Sequence, residues 1–62
     1  MKKALVARML IFLKEAAVQI DQARLVAANA GDPYTLKTIE FLYREVMGEI
    51  RRLEILHASW SK

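Results

Sequence analysis

The apolar residues of this chain recur at three- and four-residue intervals almost from end to end, and no useful length alternates apolar with polar. That spacing reads as amphipathic helix and argues against strand. The pattern is broken once, at Gly31-Asp32-Pro33. Glycine can take the left-handed conformation that closes a helix. Aspartate can cap the next helix by accepting its free N–H groups, and proline suits the first helical position, where no N–H is needed. A stop, a cap and a start in succession predict two helices, about 3–29 and about 33–58, with the turn over 30–33. The first segment is rich in good helix formers: Ala, Leu, Gln, Lys and Arg. Two segments of similar length, each about 40 Å at 1.5 Å per residue, on so short a connection fold back as an antiparallel helical hairpin. The expected fold is all-α, one domain over 1–62.

The second segment carries one clean seam: Leu36, Ile39, Tyr43, Val46, Ile50, Leu53, His57 and Trp60. Only His57 departs from apolar, and the alternating spacing faces a single neighbouring helix at coiled-coil geometry. On the first segment the matching stripe is read as Val6, Met9, Leu13, Ala16, Ile20, Ala23, Ala27 and Ala30. Its half near the turn is nearly all alanine, which complements Leu36, Ile39 and Tyr43 opposite.

Much of the first segment outside that stripe is apolar too. Leu5, Phe12 and Val26 lie on one shoulder, Leu10 and Ala17 on the other, and Ile11, Val18 and Leu25 repeat every seven residues on the side away from the hairpin partner. A helix hydrophobic on most sides is buried on most sides, and one partner helix cannot cover it. The expectation is a homodimeric four-helix bundle, with Leu5, Leu10, Ile11, Phe12, Val18 and Leu25 at the interface between chains. On the second segment Tyr34, Phe41, Gly48 and Ile55 form a weaker outer stripe, with Leu42 and Leu56 as its shoulder. Phe41, Gly48 and Ile55 are read as a surface for a further partner, Gly48 permitting close approach of another backbone.

Composition sharpens this picture. There are 62 residues and no cysteine, so neither a disulfide framework nor a thiolate zinc site can supplement a small core. The 55% hydrophobic content excludes a disordered tail. The opening Met1-Lys2-Lys3-Ala4-Leu5-Val6 imitates a signal peptide, and Ala28-Asn29-Ala30 a cleavage site. Arg8, Lys14, Glu15, Asp21 and Arg24 interrupt what would have to be an unbroken apolar region. The sequence therefore reads as soluble and cytoplasmic, with no membrane partner.

The net charge of +3 is interspersed rather than clustered. Lys37, Arg44 and Arg51 nonetheless form a row at seven-residue spacing with Arg52 beside it, which could grip phosphates of a nucleic acid. The competing account is intrahelical support, with Glu40 placed to pair with Arg44 and Glu49 with Arg52. Arg24 falls among apolar positions, so it either snorkels to solvent or meets a carboxylate such as Glu40 or one from another chain.

Glu54-Ile55-Leu56-His57 has the Glu-x-x-His spacing of di-iron bundles, but Glu15 and Asp21 lie on the polar sector of the other segment, so no metal is expected. The only serines are Ser59 and Ser61, and a single histidine cannot complete a triad alone. With no glycine-rich phosphate loop either, the chain reads as a non-enzyme without cofactors.

A hairpin of about sixty residues that dimerises is similar in layout to the Rop-type plasmid regulators, which bind paired RNA loops. It equally resembles the small hairpin chaperones of bacterial secretion systems. No residue motif of either is present, so no site residues carry over. The expected role is a protein-interaction module acting as adaptor, chaperone-like subunit or regulator, partnering itself and another protein. The alternative is a nucleic-acid-binding regulator using the basic row.

Overall fold

The computed structural model describes residues 2–60; Met1 and Ser61, which entered the sequence reading, lie outside it. Two helices account for nearly all of the described chain: α1 (Lys2–Ala30) and α2 (Pro33–Ser59). Each matches its sequence-based bounds to within a residue, and the two pack antiparallel as a hairpin 47 Å long.

The turn is built by the three residues that predicted it. Gly31 takes φ +71°, in the left-handed region, and its N–H donates to the Ala28 carbonyl at 3.2 Å. Asp32 is the N-cap of α2. Its carboxylate accepts from the backbone N–H of Tyr34 and of Thr35 and from the Thr35 hydroxyl at 2.6 Å. Pro33 occupies the first turn, where its missing donor is not needed. The Thr35 hydrogen bonds, side chain first and backbone second, hold the Asp32 carboxyl below the usual aspartate range.

Between the helices the core is thin. Val6, Leu10, Ala17 and Ile50 are buried together, with Leu13, Tyr43, Val46 and Leu53 packed around them, and Ala27 is buried nearer the turn. On α2 the predicted seam holds: Ile50 is the most enclosed residue at 3% exposure, and Leu36, Ile39, Tyr43, Val46, Leu53 and His57 are half-buried. Trp60, at the open end, is exposed.

On α1 the seam differs from the expected one. Val6, Leu13, Ile20 and Ala27 belong to it, but the residues beside them are Leu10, Ala17 and Arg24, while Met9, Ala16, Ala23 and Ala30 lie exposed. Both choices have coiled-coil spacing. The one adopted sets Arg8, Glu15, Gln22 and Asn29 diametrically opposite α2; the other would set Ile11, Val18 and Leu25 there. The helix has rotated so that its most polar row faces fully away from its mate.

Candidate interaction surface

The rotation of α1 decides what remains uncovered. Leu10 was grouped with the residues free for another chain, and that assignment is corrected: it is buried against α2. Leu5, Ile11, Phe12, Val18 and Leu25 are exposed, as are Met9 and Val26, the last at 69%. With the seam on Val6, Leu10, Leu13 and Ala17, helical geometry separates these side chains into two edges of the hairpin.

One edge carries Ile11, Val18 and Leu25 together with most of the cross-helix polar contacts. Lys14 reaches across to Glu54, Nζ to Oε2 at 2.8 Å. Arg24 donates to Asp21 from Nε at 3.0 Å, and its guanidinium lies over the Tyr43 ring, 5.5 Å from the centroid. The Asp21 hydrogen bond and charge together hold the Arg24 proton more tightly than usual. Both routes expected for this arginine are thus modified: it stays half-exposed, and its carboxylate partner is Asp21 rather than Glu40. A shallow open groove of about 370 Å3 runs along this edge, lined by Lys14, Ala17, Val18, Tyr43, Met47 and Ile50 among others.

The opposite edge is different in kind. From α1 it presents Leu5, Met9, Phe12, Ala16, Ala23 and Val26, interrupted only by Gln19. From α2 it presents Leu42 and Leu56, with Glu45, Glu49 and Arg52 between them. Arg52 pairs with Glu49 one turn away, as its spacing predicted. Met9, Ala16 and Ala23 were placed in the hairpin seam by sequence reasoning and missed as surface. Their three-four spacing with Leu5, Phe12 and Val26 was the signal for a second stripe.

The outer side of α2 carries Tyr34, Phe41 and Ile55, the last two 62% and 66% exposed. A Cβ added at Gly48 would meet nothing within 4 Å, so within one chain no backbone approaches there. Lys37, Arg44 and Arg51 are exposed alongside this stripe. Among the described residues none of the three has a carboxylate within 4.0 Å, and the expected Glu40–Arg44 pair is not formed.

Glu54 is engaged by Lys14, and among the described residues no group of three or more His, Asp or Glu side chains gathers in a way that could hold a metal ion. No described helix is long and apolar enough to cross a membrane. Compared with known protein families, curated proteins and solved structures, the chain matches none.

Proposed function

We propose that this chain is a non-enzymatic protein-interaction module that associates with itself and acts as an adaptor, chaperone-like subunit or regulator. The observation that carries the reading is the surface left uncovered. A compact folded chain of 7.1 kDa exposes about 4,100 Å2 by the usual scaling with mass, whereas the hairpin exposes 5056 Å2. Its radius of gyration is 14.4 Å, against about 11 Å for a compact domain of this length. The excess of about 1,000 Å2 is close to the ~800 Å2 that one partner contributes to a stable interface. The exposed side chains include Leu, Ile, Val, Phe and Met set in stripes along the hairpin rather than as scattered singles, and apolar surface gathered in this way marks interaction sites. Self-association supplies the cover that a two-helix core lacks, and the Phe41–Gly48–Ile55 stripe stays available to a different protein.

Sedimentation at micromolar concentration tests this. The expected result is a dimer mass or a higher multiple; a monomeric mass with full helicity overturns it. A second reading, a nucleic-acid-binding regulator, is favoured by one observation: Lys37, Arg44 and Arg51 are exposed without ion-pair partners among the described residues. Arg52, the fourth member, is engaged with Glu49. Titration with duplex RNA and DNA at two salt concentrations separates the readings. A steep salt dependence that disappears in the Arg44→Ala/Arg51→Ala variant supports the second, and binding indifferent to salt counts against it.

A further inference from the structure

The two edges of the hairpin are not equivalent as places for a second copy to dock. Covering the edge with Ile11, Val18 and Leu25 would desolvate two ion pairs, Lys14–Glu54 and Arg24–Asp21, against the single Arg52–Glu49 pair on the other edge, so the cost in charges now in contact with water is greater there. On the other edge, α1 offers an apolar stripe at three-four spacing for nearly its whole length. That is the pattern of a second coiled-coil seam, adjacent to the first.

This second stripe has a polarity of size. Leu5, Met9 and Phe12 are bulky, while Ala16 and Ala23 are small. A parallel copy would set bulk against bulk and leave gaps between alanines. An antiparallel copy, related by a two-fold axis through Ala16, sets Met9 against the partner's Ala23, Phe12 against the partner's Gln19 and Leu5 against the partner's Val26. Ala16 is also the midpoint of Lys2–Ala30, so the helices overlap over their full length. At the axis, alanine faces alanine and the backbones can approach.

The same operation acts on α2. Antiparallel pairing places Glu49 beside Ala16 on this edge, so the axis passes near Glu49. About that point Leu42 meets the partner's Leu56, and Glu45 meets the partner's Arg52. Apolar meets apolar and opposite charges meet, twice each, while at the axis Glu49 faces its own symmetry mate, each with the Arg52 of its own chain beside it. The other two-fold arrangement, α1 upon the partner's α2, would instead lay Phe12 and Ala16 on the partner's Arg52 and Glu49.

We infer that two copies of this chain associate through the Leu5–Met9–Phe12–Ala16–Ala23–Val26 edge, α1 antiparallel to the partner's α1 about a two-fold axis at Ala16, with Glu45 and the partner's Arg52 pairing across it. This rests on the self-association proposed above and specifies its geometry. The absence of cysteine from the sequence makes the test direct. In Ala16→Cys, with helicity checked first, each thiol lies beside its symmetry mate, and oxidation or a short thiol crosslinker yields a covalent dimer. Val18→Cys, on the other edge, yields little. Separately, Glu45→Arg weakens association roughly three- to tenfold and the double variant Glu45→Arg/Arg52→Glu restores most of it, as two exposed pairs would. A wild-type dimer in which position 18 crosslinks and position 16 does not overturns the inference while leaving self-association standing. A monomeric wild-type chain overturns both.

Discussion

Truncating Ile50 to alanine tests the account of the core. Ile50 is the most enclosed residue, 3% exposed, and the buried cluster of Val6, Leu10 and Ala17 closes on it from α1. Ile50→Ala removes three carbons, about 2.4 kcal/mol at roughly 0.8 kcal/mol per buried methylene. A sealed void would add a cavity penalty. Here the groove between Ala17, Tyr43 and Met47 opens to solvent beside Ile50, so water and neighbouring side chains can fill the space and that term is small. Alanine returns a few tenths of a kcal/mol in helix propensity. The net loss is about 2 kcal/mol, a large fraction of the stability of so small a domain. With a urea slope of about 1 kcal/mol/M for a small chain, the unfolding midpoint falls by about 2 M. The assay is urea titration followed by far-ultraviolet circular dichroism, at one fixed chain concentration because association adds its own stabilisation. Ile55→Ala is the control: Ile55 is 66% exposed on the outer side of the same helix and should change stability by less than about 0.5 kcal/mol. An unchanged midpoint for Ile50→Ala, or an equal loss for Ile55→Ala, refutes the assignment of the seam.

Three other expectations concern the turn and the outer surface. Gly31→Ala forces an L side chain into positive φ with no contact to compensate, and should lower stability by about 1 kcal/mol in the same titration. Gly48→Ala should raise it by about 0.8 kcal/mol, since the added Cβ meets nothing in the chain; a loss of self-association on that change would instead reveal a neighbouring backbone at Gly48. The cap at Asp32 is sensitive to acid. Its folded carboxyl is held below the ordinary value of 3.8, so its contribution is present above that pH and disappears as pH falls through the lowered folded value. Urea midpoints measured down through that range should drop, and Asp32→Asn, which cannot titrate, should flatten this part of the profile.

The turn and α2 were legible in the sequence because each offered a single solution. Only one tripeptide could stop one helix and start the next, and only one stripe of α2 was continuous enough to be a seam. The face of α1 was not legible for a physical reason. Val6, Leu13, Ile20 and Ala27 serve two overlapping stripes, one completed by Met9, Ala16 and Ala23, the other by Leu10, Ala17 and Arg24. Counting apolar residues favours the first, because the second includes an arginine. That arginine is accommodated at the margin of the contact by Asp21 and the Tyr43 ring. Such a rescue needs a tyrosine from the other helix, which local pattern does not reveal. The placing of Met9 in the seam and of Leu10 on the outer surface both follow from that one rotation.

The closeness of Gly31 and Asp32 to both helices also governs how the hairpin forms. Contacts beside the turn join residues only a few positions apart in the chain, whereas those among Val6, Leu10 and Ile50 must close a span of some forty residues. Loop-closure entropy orders these events, so pairing starts at the bend and travels toward the free ends like a zip. Substitution at Gly31 should therefore slow refolding, while substitution at Val6 should chiefly hasten unravelling, a kinetic division of labour written along the length of the rod.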